Sequence, residues 1–424
     1  MMKRIVITGM GAVSPLGTGV DLAWKHLLEG KSGISALPDA LAEGSPVNIA
    51  GWVKPSELDP SMGLNLSEYL DAKELRRSDR FIQFALIAAN EAIQQAQWLP
   101  MTEIQKQRTA TIVASGVGGF PAIAHAVRTG EAVGVGKLSP FTIPSFLVNL
   151  AAAQIALKHQ FQGPLGAPVT ACAAGVQAIG DAARMIHANE ADIAICGGTE
   201  ACIDKVSLGG FAAAKALSTR YAASPELASR PFDTHRDGFV MAEGAGILVI
   251  ESYEHAMARG AKPLAELVGY GTTSDAYHIT SSPEEGSGAA RAMMIALNQA
   301  HISPEAVDHI NAHATSTPMG DASELAAIRT VFGQRHAQPV ISATKSSTGH
   351  LLGAAGGLEA IFTIKAIEAQ CCPPTINLDA PDARATGLAI TTQAPIHRHL
   401  EYALSNGFGF GGVNASVIFK RFNG

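Results

Sequence analysis

Charged residues are scarce, at 16% of the 424-residue chain against about 25% in an ordinary soluble protein, while hydrophobic residues reach 47%. That balance excludes a disordered chain and requires a large buried core. Neither sign of charge is in strong excess. With 31 Lys and Arg against 37 Asp and Glu, the net charge of −6 excludes a general nucleic-acid or anionic-membrane surface and leaves room for a local basic patch. Five cysteines, unevenly spaced, make neither a disulfide framework nor a zinc site, and they predict a metal-free protein of the reducing cytoplasm. Long hydrophobic runs are missing too. The stretch from Met1 is broken by Gly9, Gly11 and Pro15 before a signal-peptide core could form, and it reads as a first strand. The longest uncharged stretch, Leu138 to Leu157, contains Pro140, Pro144, Asn149 and Gln154, so it predicts a buried loop and helix in place of a membrane span.

What is present is a repeated alternation of short β-rich runs ending in glycine with long alanine-rich helical stretches, the pattern of an α/β protein with buried sheets. Four such runs recur in order: Arg4 to Gly9 with Ala265 to Gly271, Thr109 to Gly116 with Val307 to Thr315, Pro168 to Gly180 with Val340 to Gly357, and Ala191 to Gly198 with Tyr402 to Gly412. The spacings differ between the two series, which excludes a solenoid of fixed period and points to one α/β unit duplicated. No low-complexity linker separates the halves, so they should pack as one body.

Chemistry-bearing residues cluster where strands turn into helices. Cys172 lies in Thr170-Ala171-Cys172-Ala173-Ala174-Gly175, between Pro168-Val169 and the helical stripe Val176, Ile179, Ala183 and Ile186. A helix N-terminus favours a thiolate and can bind an oxyanion, although a lone free cysteine is also an ordinary core residue, as Cys196 is within its strand. His313 and His350 each follow a β-rich run, in Asn311-Ala312-His313-Ala314-Thr315-Ser316-Thr317-Pro318 and Lys345-Ser346-Ser347-Thr348-Gly349-His350-Leu351-Leu352-Gly353. Strand ends are where sites form in open α/β sheets. Either histidine alone is better read as a hydrogen-bonded turn residue, but a cysteine with two histidines and no third metal ligand suits nucleophilic chemistry with proton or oxyanion management. The run Asn406-Gly407-Phe408-Gly409-Phe410-Gly411-Gly412 permits close backbone approach, which could hold Phe410 beside a reacting atom. Gly9-Met10-Gly11-Ala12-Val13-Ser14 is not a dinucleotide fingerprint, because Ser14 stands where the third glycine belongs.

Together these motifs resemble the β-ketoacyl-acyl carrier protein synthases, most closely the type II elongating condensing enzymes, and the likeness runs through nearly the whole chain. The resemblance implies a thiolase-like α/β fold, duplicated in five αβαβα layers, with an N-terminal half over 1–258 and a C-terminal half over 259–424, assembled as a homodimer. It implies a decarboxylating Claisen condensation without a resident cofactor, the phosphopantetheine arriving on acyl carrier protein. Cys172 would accept the acyl chain, the N–H groups of Cys172 and Phe410 would hold its oxyanion, and His313 and His350 would stabilise the enolate left by decarboxylation. Lys345 would support them with Glu359 as its carboxylate partner. Thr315 and Thr317 would bind the phosphopantetheine arm, while Val117, Phe211 and Phe408 match positions near the acyl pocket or its gate. Lys73, Arg76, Arg77, Lys137 and Lys215 match carrier-docking positions, and Arg80 extends the first three into an i, i+3, i+4, i+7 stripe on one helical face. One departure is visible: Ala314 stands where the family usually has glycine. A thiolase would carry a second cysteine beyond Cys372, and an initiating synthase an asparagine where His350 stands. A specialised polyketide condensing enzyme and an acyl-binding scaffold that does not turn over remain as alternatives.

Overall fold

Every position of the run Ile5–Ser14 is buried, because this strand has protein on both faces and needs no polar side. In this computed structural model, which describes residues 3–333 and 338–424, ten strands make the body of one continuous sheet. They are β1 (Ile5–Ser14), β2 (Thr109–Ala114), β3 (Leu165–Gly166), β4 (Ile193–Glu200), β5 (Gly244–Ser252), β6 (Ala265–Ser274), β7 (His309–Asn311), β8 (Val340–Ser342), β9 (Tyr402–Gly409) and β10 (Val413–Arg421). The short strands Gly17–Thr18 and Ala389–Ile390 extend it.

The order is β1-β5-β4-β2-β3 in one half and β6-β10-β9-β7-β8 in the other. In both, the first two joints are antiparallel and the next two parallel. The halves meet where Ile5, Val6 and Ile7 of β1 pair antiparallel with Leu267, Glu266 and Ala265 of β6. Shared order and shared strand sense are what a duplicated unit produces.

Helices supply the remaining layers. α1 (Arg80–Ala96) and α2 (Leu150–His159) cover the outer face of the first half-sheet, and α4 (Ser287–Ala300) with α5 (Pro318–Phe332) covers the second. α3 (Ala174–His187) and α6 (Ala355–Ala369) pack on each other and on both half-sheets, completing the five αβαβα layers. α6 is apolar nearly all round, as a helix with no solvent face must be; its buried residues run from Ala355 to Ile367.

Three sequence expectations need correction. Pro168-Val169 is not a strand: β3 ends at Gly166, and Pro168 has no N–H to give a ladder. The duplicated series has a further pair, β5 with β10, neither of which ends in glycine. The segment 138–149 is half-exposed surface and not a buried loop, while the helix that follows, α2, does bury Ala151, Ala152, Ile155 and Ala156. Among the described residues no helix is long and apolar enough to cross a membrane.

Candidate active site

The nucleophile candidate sits on the central layer. A 3₁₀ turn, Ala171–Ala173, runs directly into α3, and Ala171 takes a left-handed φ of 49° that tips Cys172 out of the helix line. Of the five cysteines, Cys172 alone is partly exposed. It opens on a cavity of about 340 Å³ whose walls include His313, His350, Phe408 and Phe410. Burial pushes the Cys172 thiol up to about 12, while Lys345 and the backbone N–H groups of Phe410 and Cys172 draw it down. The α3 dipole acts in the same direction as those N–H groups. The end of β9 and the cysteine turn thus converge, bringing together the two N–H donors that the family resemblance assigns to an oxyanion.

Gly409 makes that convergence possible. A Cβ there would lie 2.6 Å from the Thr170 carbonyl oxygen and 3.1 Å from the Cys172 nitrogen, so only glycine lets the end of β9 approach the cysteine turn.

The histidines come from the second half. His313 follows β7, and its N–H and that of Ala314 donate to Glu324 on α5 at 2.8 and 2.6 Å. Asn406 of β9 donates to the same carboxylate at 3.0 Å. His350 follows β8 and is tied through its own N–H to the Val240 carbonyl and through its carbonyl to the Ala242 N–H. The two rings stand edge to face at 86°, with centroids 5.3 Å apart. Burial, reinforced by the Lys345 charge, holds both imidazoles well below the usual 6.5, so both are neutral at neutral pH and each carries one N–H. Nδ1 of His313 and both ring nitrogens of His350 are buried without a hydrogen-bond partner.

Lys345 is 1% exposed and pairs with the Glu359 carboxylate, also buried. Burial raises Glu359 to about 7 against the pull of Lys345, and its second oxygen has no partner. Thr315 and Thr317, with hydroxyls 3.0 Å apart, line the cavity along with Phe211 and Phe408. Phe410 stands at its lip, 38% exposed, with its ring 6.3 Å from that of Phe211. Val117 lies behind the wall, in the apolar cluster that also receives Cys172, Phe211 and Leu352. Ala314 does not line the cavity; its methyl is buried in the second-half core.

The basic stripe is not one helix. Asp71 and Glu74 form a capping box on Ala72–Arg77, Ser78 is extended, and Asp79 caps α1 afresh. Arg80 therefore leaves the stripe and turns to Glu243 and the Val53 carbonyl. Lys73, Arg76 and Arg77 stay exposed, and Glu74 pairs with Lys158 at 2.7 Å. Arg77 stacks on Phe141, Lys137 is exposed nearby in sequence, and Lys215 lies at the cavity mouth. Sequence reasoning missed Glu324 and Asn406. The only signal was an acid eleven residues after His313 on the following helix. Among the described residues no group of three or more His, Cys, Asp or Glu could hold a metal ion.

A duplicated five-layer fold with a thiol at a central helix N-terminus defines the thiolase-like acyltransferases. Residues 2–256 match the N-terminal domain of the beta-ketoacyl synthases and residues 264–379 their C-terminal domain, so the chain belongs to the beta-ketoacyl synthase family. It is 46% identical, over the full length of both chains, to a 3-oxoacyl-[acyl-carrier-protein] synthase 2 of Rhizobium meliloti. It is 43% identical to the mitochondrial 3-oxoacyl-[acyl-carrier-protein] synthase of Arabidopsis thaliana, over 98% of this chain and 93% of that one. Among solved structures, a beta-ketoacyl synthase from Burkholderia phymatum superposes with a TM-score of 0.90 at 33% identity over the whole of both chains. A type II PKS ketosynthase in complex with its acyl-carrier protein and bound to the hexaketide gives 0.89 at 33%, again over both whole chains.

Proposed function

We infer that the protein is a 3-oxoacyl-[acyl-carrier-protein] synthase of the type II elongating class. It extends a fatty acyl chain by decarboxylating Claisen condensation with malonyl-acyl carrier protein. The observation that carries this reading is the meeting, in one cavity, of Cys172, the end of β9 at Phe410, and two neutral imidazoles with unpartnered ring nitrogens. The Cys172 sulfur attacks the acyl thioester carbonyl; the new C–S bond forms, the carrier's C–S bond breaks, and the carrier thiol leaves with the proton. Malonyl carrier then enters, its thioester oxygen accepting one N–H each from His313 and His350. As carbon dioxide departs, the bonding pair passes to the α-carbon and the enolate oxygen stays held by those donors. The α-carbon attacks the acyl-Cys172 carbonyl, the N–H groups of Cys172 and Phe410 take up the oxyanion, and collapse releases the Cys172 thiolate with the lengthened product.

Lys345 serves by its charge. Buried beside both rings, it opposes their protonation and so keeps the N–H donors and the vacant nitrogens in neutral form. Glu359 neutralises it. Thr315 and Thr317 hydrogen-bond the phosphopantetheine arm, which is part of the carrier substrate, and Phe408 and Phe410 gate the route from the carrier surface to Cys172. Lys73, Arg76, Arg77, Lys137 and Lys215 dock the acidic carrier. The halves over 1–258 and 259–424 supply the nucleophile and the histidines respectively. The enzyme works in the cytoplasm as a homodimer. Helix Phe120–Val133 supports a second copy, since it carries Ile123, Val127 and Val133 and buries none of its residues within one chain.

Incubation with acyl carrier protein followed by peptide mass spectrometry tests the reading. The expected result is one acyl group on Cys172, discharged on adding malonyl carrier with release of carbon dioxide. Acylation of the Cys172→Ala variant, or an acyl-Cys172 that malonyl carrier never discharges, would overturn it, the second result leaving an acyl-binding scaffold.

A further inference from the structure

Glu200, the last residue of β4, is fully buried, and the reaction above gives its carboxylate no task. It nonetheless accepts four hydrogen bonds. Oε1 takes the Ser115 hydroxyl at 2.7 Å and the Val117 N–H at 3.2 Å; Oε2 takes the Gly116 N–H at 2.7 Å and the Gly353 N–H at 3.0 Å. All four donors are neutral, and three belong to the backbone. Burial raises the carboxyl while these donors hold it down. Charge-assisted bonds of this kind are roughly twice as strong as neutral ones, so the group fixes whatever backbone it grips.

It grips two sides of the apolar cluster that lies behind the cavity wall. Ser115, Gly116 and Val117 leave β2, and Val117 enters the apolar cluster that receives Cys172 and Phe211. Gly353 belongs to the turn Leu352–Ala354 that leads from His350 into α6. The fit has no slack: a Cβ on Gly353 would lie 2.2 Å from the Gly116 nitrogen and 2.8 Å from Oε2.

We propose that Glu200 is a positioning residue for acyl-chain selection, tying Val117, in the apolar cluster beside Cys172, to the second-half turn and so fixing the room that this cluster leaves for an acyl chain. The inference rests on the reading that Cys172 is acylated. Glu200→Gln keeps the shape but turns an amide NH₂ toward N–H donors, so one side of the clamp must open. The expected result is a shift of about ten-fold or more in the ratio of Cys172 acylation rates with palmitoyl and hexanoyl carrier proteins, since sub-ångström misplacement near a reacting centre has effects of that size. Malonyl decarboxylation, which depends on the histidines, should change less. Ser115→Ala removes a single donor and should move the ratio the same way by less, and it decides the matter if Glu200→Gln does not fold. An unchanged ratio, or one uniform loss across both acyl lengths and decarboxylation, would overturn the proposal. Wild-type protein that takes no acyl group on Cys172 would instead overturn the function on which it rests, so the two failures are distinguishable.

Discussion

Gly409→Ala is the sharpest single test of how the oxyanion site is built. The added methyl would stand 2.6 Å from the Thr170 oxygen and 3.1 Å from the nitrogens of Cys172 and Ala173, whereas ordinary contact begins at 3.4 Å. The Thr170 contact is backbone and cannot swing away, so the end of β9 must retreat by about 0.8 Å at that point. Phe410 is the next residue and moves with it. A donor placed at about 2.9 Å then stands near 3.7 Å, beyond hydrogen-bonding reach. Loss of one oxyanion donor costs about 10²- to 10³-fold in rate, and the overpacking itself about 1–3 kcal/mol of stability. The assay is single-turnover acylation of Cys172 by acyl carrier protein, with thermal unfolding run alongside. Gly210→Ala is the control, because a Cβ there meets nothing within 4 Å. A folded Gly409→Ala protein that acylates at the wild-type rate would refute both the role of Phe410 and the reason given for the glycine.

Lys345→Met should destabilise the protein by about 3–5 kcal/mol, because it leaves the buried Glu359 carboxylate without its cation; denaturant unfolding indistinguishable from wild type would contradict this. Decarboxylation should hold steady as pH falls through 6.5, since His313 and His350 are held well below that value and take up protons only further down; a half-loss near 6.5 that persists in Glu359→Gln, which removes the carboxyl raised to about 7, would show that they titrate normally. Reversing charge at the exposed Arg76 and Arg77 should raise the apparent KM for carrier-borne substrates, with the penalty fading in salt, and should spare small pantetheine thioesters; equal loss on both would place the damage in the fold or the active site.

Cys172, His313 and His350 were legible in the sequence because each lies in a run of small and hydroxyl residues beside a β-rich stretch, a local signal. The glycine run near Phe410 was legible for the same reason, and the close approach at Gly409 is the geometry it permits. Glu324 and Asn406 were not. Their place under His313 depends on α5 folding back across β7 and on β9 pairing beside it, contacts with no local signature. The basic stripe failed differently. Lys73 to Arg80 looks continuous as a helix, yet Asp79 is a better N-cap than an interior residue, and one capping side chain turns Arg80 from the exposed face of Lys73, Arg76 and Arg77 toward Glu243. The strands β5 and β10 end at Ser252 and Arg421, so a strand-to-glycine pattern does not reveal them.

The duplication explains why only one of the two central helices opens on a cysteine. Each central helix is entered through a 3₁₀ turn, Ala171–Ala173 before α3 and Leu352–Ala354 before α6, and each turn opens with a non-glycine residue at left-handed φ, 49° at Ala171 and 48° at Leu352. In this correspondence Gly353 occupies the place of Cys172. A side chain there is excluded, because a Cβ would meet the Gly116 nitrogen at 2.2 Å. The first half's strand-exit loop fills the space that a second cysteine would need, held there by the Glu200 carboxylate. With no cysteine at that turn, the second half instead brings His313 and His350 from its strand ends to the cavity on which Cys172 opens. A repeated fold thus yields an asymmetric site through one packing contact at the turn of α6.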